Sequence, residues 1–182
     1  MRKRGKQSVT RLVMVGLMTA VLAVLSQIAV PLPLGVPLTL QTFAVALCGY
    51  VLGWRSGGLA VVVYILLGAV GVPVFTGFSG GFAILAGMTG GFIWGFLPMA
   101  VLCGLGKKLQ RRWMQLLPGF LGLLLCHLIG VIQFVIVSHN GFWQSLLLAS
   151  APFLIKDMLS VAAACLAALL VGSRLRVARL TP

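Results

Sequence analysis

The sequence predicts an all-α integral membrane protein, a compact bundle of six transmembrane helices forming a single membrane domain over residues 1–182. Of the residues, 60% are hydrophobic and only 8% are charged, whereas about a quarter of the residues in a soluble domain are charged. Three long runs, 12–54, 56–106 and 113–155, carry no charge. A helix needs about 20 apolar residues to cross a hydrocarbon core of about 30 Å. Each run therefore holds two spans and a turn, with the last span continuing beyond residue 155.

Continuous apolarity favours helices over barrel strands, in which apolar and polar residues alternate. The predicted spans lie at residues 11–30, 38–54, 57–72, 89–106, 114–137 and 151–173. The first span leads into a proline turn without a small-residue cleavage site, so we interpret it as a retained helix and not a signal peptide.

The basic residues predict the orientation of these spans. Every lysine and arginine except Lys156 precedes the first span, follows the last, or lies in the second-to-third or fourth-to-fifth connection. Positive residues collect on the cytoplasmic side of membrane proteins. We therefore expect a multi-pass plasma-membrane protein with both termini in the cytoplasm.

The same distribution excludes several classes of function. A net charge of +13 would suit nucleic acid only as a basic stripe on a folded surface, whereas the basic termini here are placed to meet anionic lipid headgroups. General acid–base or nucleophilic catalysis needs cooperating groups, and Asp157 is the only acidic residue. The sequence also lacks a phosphate-binding Walker A motif. We expect no enzyme, no nucleic-acid partner, no metal and no cofactor, with His127 a packed core histidine.

The outer connections are unusual in composition. Residues 31–37 read PLPLGVP, which predicts a stiff, extended loop. Residues 72–91, here called the outer glycine segment, repeat Ser79-Gly80-Gly81-Phe82 as Thr89-Gly90-Gly91-Phe92. Glycine permits close backbone approach, and irregular apolar backbone at membrane depth must be buried in protein or line a cavity. Two interpretations stay open: a tight corner for helix packing, or the wall of a small-molecule pocket.

Lys156 and Asp157 are the charged residues that the topology does not explain. With Ser150 near the helix cap and Pro152 in the first turn, they lie one to two turns inside the sixth span. Neighbouring residues point about 100° apart on a helix, which makes a mutual salt bridge harder and favours presentation to a third partner. The alternatives are mutual neutralisation that sets helix register, or a ligand site. Intramembrane ionisable residues usually mark function, which favours the ligand site.

Three stretches together carry a family resemblance: GVPLTLQTFAV (35–45), LLGAVGVPVFTGFSGGFAILAGMTGGFIWGF (66–96) and PFLIKD (152–157). With them, the sequence resembles the BioY family over nearly its whole length. Members of that family are the biotin-binding S components of energy-coupling-factor (ECF) vitamin transporters. The resemblance implies a six-helix bundle with a vitamin pocket near the outer face. It also implies a transmembrane coupling subunit and two ATPase subunits as partners.

The resemblance further implies the residues that contact biotin. Lys156 and Asp157 would be polar contacts, and two loops would form the lid and walls, through Thr39, Gln41, Phe75, Phe78, Ser79, Gly80 and Gly81. A carboxylate such as Asp157 accepts from the two ureido N–H groups, while Lys156 either pairs with the valerate carboxylate or keeps Asp157 ionised. Family members often carry an arginine in or after the outer glycine segment, but in this sequence none lies between Arg55 and Lys107. The biotin carboxylate is therefore left to Lys156 or to backbone N–H groups.

Small residues in the first span suggest a docking face for the coupling subunit. Gly16 and Ala20, and likewise Thr19 and Ala23, are small residues four apart, a spacing that permits close helix approach. Ordinary packing inside the bundle is the alternative. Two other functions also stay open: a self-sufficient, oligomeric biotin facilitator, and a non-transporting structural protein whose Lys156–Asp157 pair serves packing alone.

Overall fold

The computed structural model describes residues 2–30, 37–109 and 111–178. Its helices confirm the all-α prediction. Within the described ranges six helices have 12 residues or more, and two short ones, α4 and α7, lie in connections between them: α1 Arg2–Ser26, α2 Gln41–Leu52, α3 Trp54–Ala69, α4 Phe82–Ala86, α5 Gly90–Gly106, α6 Arg112–Ser138, α7 Phe142–Ala149 and α8 Ala151–Ala178. The extended loop predicted at 31–37 lies, apart from Pro37, outside the described residues.

The first predicted span ends four residues early. The chain leaves the helix after Ser26 and forms β1, Ala29–Val30, which pairs antiparallel with β2, Leu38–Thr39. Val30 precedes a proline, and the residue before a proline is pushed from the helical into the extended region. This two-stranded ribbon fixes the start of α2 beside the end of α1.

Two outer connections contain helix that the sequence did not predict. The outer glycine segment includes the single-turn helix α4, and the connection after α6 includes α7. Both short helices follow a glycine, Gly81 and Gly141 respectively. The segment was predicted to be irregular throughout, and the structure corrects this to an irregular first half, the helix α4, and a short turn into α5.

The described helices divide into two length classes relative to a membrane. Three contain stretches long and apolar enough to cross one: Val9–Ser26, Trp113–Ser138 and Ala151–Gly172. Three are apolar but shorter, namely α2, α3 and α5. The short helices pack among the others and carry many of the fully buried residues of the bundle, such as Val45, Val61 and Met99.

Glycines allow α5 to approach its neighbours closely. A Cβ on Gly49 of α2 would lie 2.4 Å from the Ala100 carbonyl oxygen, and one on Gly95 of α5 would lie 2.7 Å from the Cys126 Cα of α6. Contacts below 3 Å have no room for a side chain, so both helix pairs depend on glycine. This close packing draws α2, α5 and α6 together around a cavity at the end of the bundle where α2 and α5 begin.

Candidate ligand-binding site

A cavity of about 210 Å³ lies between α2, α5, α6, α8 and the outer glycine segment. Its wall combines apolar and aromatic side chains with nine polar or charged ones, and a mixture of apolar surface with convergent polar groups is typical of a small-molecule site. The lining residues are Pro37, Thr39, Gln41, Thr42, Phe75, Thr76, Ser79, Ile84, Thr89, Phe92, Ile93, Phe96, Leu123, Cys126, His127, Ala149, Phe153, Lys156 and Asp157.

The charged pair predicted from the sequence lies in this cavity. Asp157 is only 5% exposed, and its Oδ1 forms an ion pair with the Nζ of Lys156. Neighbouring helix positions make such a pair harder, and it forms here because the flexible lysine stem bends back to the carboxylate. The two charges neutralise each other, which lowers the cost of placing them within a membrane helix.

His127 is the charged-cluster residue that sequence reasoning missed, and Thr42, Thr89, Phe96 and Leu123 of the lining were not predicted either. It is buried and hydrogen-bonded, as expected of a core histidine, but its Nε2 lies 3.3 Å from Oδ2 of Asp157. Its Nδ1 lies 2.7 Å from the Ser150 hydroxyl, directly before α8. A neutral ring fits both contacts if Nε2–H donates to the carboxylate and Ser150 donates to Nδ1. The sequence did contain a signal for this contact. Asp157 is the only acidic side chain, so a buried histidine has few other charged partners.

Lys156 has a second contact that joins α8 to the two-stranded ribbon of β1 and β2, here called the outer ribbon. Its Nζ donates a hydrogen bond of 2.8 Å to the Thr39 carbonyl oxygen in β2. An ammonium group has three N–H donors. Because Asp157 and Thr39 take two of them, one remains for a ligand in the cavity.

A buried hydrogen-bond network fixes the side chain of Gln41 at the cavity wall. Its Nε2 donates to the Tyr64 hydroxyl of α3 at 2.7 Å, and that hydroxyl lies 2.9 Å from the Ser26 hydroxyl of α1. The Gln41 backbone N–H donates to the Thr39 hydroxyl at 3.3 Å. The predicted residues Thr39 and Gln41 are therefore held in place by three elements before any ligand binds.

A hairpin at residues 75–79 covers part of the cavity. Phe75 and Ser79 exchange backbone hydrogen bonds of 3.0 and 3.3 Å, and both line the cavity together with Thr76. The Phe75 ring is buried over Gly68, where a Cβ would lie 2.0 Å from the ring. It also meets the Tyr64 ring edge-on, with centroids 5.4 Å apart.

Three residues predicted in the lid and walls lie outside the lining. Phe78 is 73% exposed, at the tip of the hairpin. Gly80 packs its backbone against the chain at Val72, where a Cβ would lie 2.5 Å from the carbonyl oxygen, and Gly81 turns the chain with a φ of 104°. In the outer glycine segment Gly80 and Gly81 thus serve packing and turning, and the wall is formed by the side chains of Phe75, Thr76, Ser79, Ile84 and Thr89.

The small residues of α1 divide between two faces. Thr19 is buried and its hydroxyl donates to the Ala60 carbonyl oxygen of α3 at 3.0 Å. Ala23 packs against the core. Gly16 and Ala20 are exposed, and nothing lies within 4 Å of a Cβ built on Gly16. The pair Thr19/Ala23 thus serves internal packing, and Gly16/Ala20 is open to a partner.

An α-helical membrane bundle whose cavity is lined by aromatic and apolar side chains and by a buried, charge-neutral polar cluster defines a membrane protein that takes up a small organic solute. The sequence profile of the BioY family matches residues 1–177, and the chain belongs to that family.

Similar proteins and a solved structure agree with this assignment. The chain is 40% identical over 155 residues to the probable biotin transporter BioY of Pyrococcus horikoshii, covering 85% of this chain and 91% of the relative. It is 39% identical over 161 residues to the biotin transporter BioY of Thermotoga maritima, covering 87% and 94%. A crystal structure of the S component for biotin from an ECF-type ABC transporter superposes with a TM-score of 0.83 and 27% identity, covering 94% of this chain and 93% of that one.

Proposed function

We propose that this chain binds biotin in the cavity at Asp157 and serves as the substrate-capturing subunit of an ECF-type transporter, taking the vitamin from the outer face of the membrane. The observation that carries the proposal is the paired, nearly buried carboxylate at the wall of an apolar cavity. The relatives named as biotin transporters support the choice of ligand.

Different groups in the cavity suit the two ends of biotin, and the charged cluster suits the ureido end. The ureido ring offers two N–H donors and a carbonyl. An ionised carboxylate has about four acceptor sites. At Asp157 the Lys156 ammonium and the His127 ring take two and the Thr42 hydroxyl takes a third, so the remaining site accepts a ureido N–H group. The third N–H of Lys156 is placed for the ureido carbonyl. Phe96 and Leu123 supply apolar surface for the fused rings.

The valerate carboxylate then points toward the hairpin and the outer ribbon. Lys156 is already engaged by Asp157 and by Thr39, which supports its role in keeping Asp157 ionised over the role of carboxylate ligand. The hydroxyls of Thr76, Ser79 and Thr89 line that side of the cavity and would hold the carboxylate together with backbone N–H groups. In this arrangement the biotin carboxylate is held without an arginine, and the sequence has none between Arg55 and Lys107.

We also propose that the exposed Gly16/Ala20 face of α1 docks the transmembrane coupling subunit, through which two ATPase subunits supply the energy for uptake. Small residues four apart permit close contact between membrane helices. Both termini would lie in the cytoplasm, since the basic residues other than Lys156 collect at the bundle ends predicted to face it.

Equilibrium titration of the detergent-purified chain with biotin tests the proposal. We expect saturable binding at one site per chain, strongly weakened by Asp157→Asn, which keeps the shape of the side chain and removes its charge. Lys108→Met is a matched control, because it removes a cation that lies over the Trp54 ring and does not line the cavity. A folded wild-type chain that binds no biotin, or an Asp157→Asn variant that binds as the wild type does, would overturn the proposal.

A further inference from the structure

Gln27, the first residue after α1, ties the 75–79 hairpin to that helix. Its Oε1 accepts a hydrogen bond of 2.8 Å from the Phe78 backbone N–H. Its Nε2 faces the carbonyl oxygens of Val74 at 3.2 Å and Phe75 at 3.1 Å, as well as Ala23 at 3.1 Å within α1. One carboxamide therefore uses both its donor and its acceptor atoms on the hairpin.

The hairpin has a backbone that needs such a tie. Gly77 and Phe78 have φ angles of 71° and 54°, and Gly71 and Gly81 on either side have 100° and 104°. The left-handed region is unfavourable for a residue with a Cβ, and the side chain of Phe78 is 73% exposed and adds little packing. Glycines at both ends give the hairpin freedom to swing. The hydrogen bond from Gln27 holds Phe78 in a conformation that its own side chain does not stabilise.

A second glutamine makes a comparable tie farther along the outer glycine segment. Gln133 of α6 donates from Nε2 to the carbonyl oxygens of Leu85 at 2.8 Å and Gly87 at 2.7 Å. That tie is supported by Trp94, whose Nε1 also donates to Leu85 at 3.2 Å. Among the side-chain hydrogen bonds of the described residues, only those of Gln27 join the hairpin to another element. Through side-chain hydrogen bonds the hairpin is joined to α1 and the α4 half to α6, while the Phe75 ring of the hairpin also packs against Tyr64 and Gly68 of α3.

We propose that Gln27 is a positioning residue that keeps the 75–79 hairpin closed over the cavity, so that the position of α1 sets the rate at which ligand leaves. Phe75, Thr76 and Ser79 of the hairpin line the cavity, so opening the hairpin removes one wall. The identity of the ligand rests on the proposed function, but the closing role of Gln27 does not. Since α1 also carries the exposed Gly16/Ala20 face, displacement of this helix by a partner moves the hairpin with it.

Two substitutions separate the contacts of Gln27. Gln27→Met has nearly the same shape and makes none of the hydrogen bonds. Gln27→Glu keeps an acceptor for the Phe78 N–H but turns an oxygen toward the carbonyls of Val74 and Phe75. Gln115→Met is the matched control, since Gln115 donates to the Leu109 carbonyl oxygen at the opposite end of the bundle. Gln27→Asn, which shortens the side chain by one methylene, serves if Gln27→Met does not fold.

The first readout is the dissociation rate of radiolabelled biotin from purified protein. Loss of the hydrogen bonds on the hairpin is expected to raise this rate at least about tenfold in both Gln27→Met and Gln27→Glu, with no change in Gln115→Met. A wild-type dissociation rate in both Gln27 variants would overturn the proposal.

The second readout needs no biotin. Cys126 lines the cavity and is 2% exposed, whereas Cys48 is fully buried and lies outside the lining. Peptide mass spectrometry follows their alkylation by a small membrane-permeant thiol reagent in ligand-free protein. We expect faster modification of Cys126 alone in the Gln27 variants. An unchanged alkylation rate at Cys126 overturns the closing role. Equal acceleration of alkylation at Cys48 also overturns it, because it shows that the whole bundle has loosened. Faster Cys126 modification in a chain that binds no biotin supports the closing role and refutes the proposed function.

Discussion

His127 offers the sharpest test of how the polar cluster is built. Replacing it with leucine leaves Oδ2 of Asp157 and the buried Ser150 hydroxyl without the ring that contacts both. A hydrogen bond to a charged group contributes about 1.5–3 kcal/mol and a neutral one about 0.5–1.5 kcal/mol. Because Lys156 still pairs with the other carboxylate oxygen, we expect His127→Leu to lower the free energy of unfolding by about 2–4 kcal/mol.

Thermal unfolding in detergent measures this loss. For a chain of this length, 1 kcal/mol corresponds to a shift of about 2–4 °C, so the unfolding midpoint should fall by about 5–15 °C. His127→Gln keeps a donor near the position of Nε2 and should lose less. A carboxylate that is no longer oriented by His127 should also bind biotin about tenfold to a hundredfold more weakly.

A double-mutant cycle shows whether the effect passes through Asp157. His127→Leu, Asp157→Asn and the double variant are compared by thermal unfolding without ligand. Direct contact predicts a coupling energy of about 1–3 kcal/mol. Additive effects, or a His127→Leu midpoint within about 2 °C of the wild type, would refute the arrangement of the cluster described above.

Three further outcomes are expected. Gly68→Ala should destabilise the chain by about 1–3 kcal/mol and lower the unfolding midpoint by several degrees, because its Cβ would overlap the Phe75 ring. Gly172→Ala is the control and should change the midpoint little, since nothing lies within 4 Å of a Cβ at that position. Equal midpoints for the two variants would contradict the packing of Phe75 on Gly68. Ala20→Trp should prevent co-purification with the coupling subunit and leave the biotin Kd unchanged, and normal assembly and transport would remove the docking role. Lys156→Met should raise the biotin Kd by at least about tenfold, and an unchanged Kd would mean that the ion pair serves packing alone.

The fold was predictable because it follows from features of continuous sequence segments and not from contacts between segments. Uncharged runs give the helices, and the resemblance in three stretches gives the family. The end of α1 was not predictable to the residue, because the strand pairing of Ala29 and Val30 with Leu38 and Thr39 is a contact between segments and not a property of either. The helices α4 and α7 were missed because short helices in glycine-rich or polar connections carry no length signal.

Part of the candidate site was also predictable. Asp157 and Lys156 were evident as the charges out of place, and Gln41 came from the family resemblance. The contact between His127 and Asp157 was not predictable, since it depends on the rotation of α6 relative to α8, which the sequence of neither helix specifies. Phe78 shows the opposite error: an aromatic residue in a lining segment was expected to line the cavity, but its positive φ turns the side chain outward.

A structure of the purified chain with biotin bound tests the central claim most directly. The account predicts biotin in the cavity between α2, α5, α6 and α8, with a ureido N–H group within hydrogen-bond distance of Asp157 and its carboxylate toward Thr76, Ser79 and Thr89. Biotin bound elsewhere, or bound in this cavity with its ureido ring away from Asp157, would contradict the account.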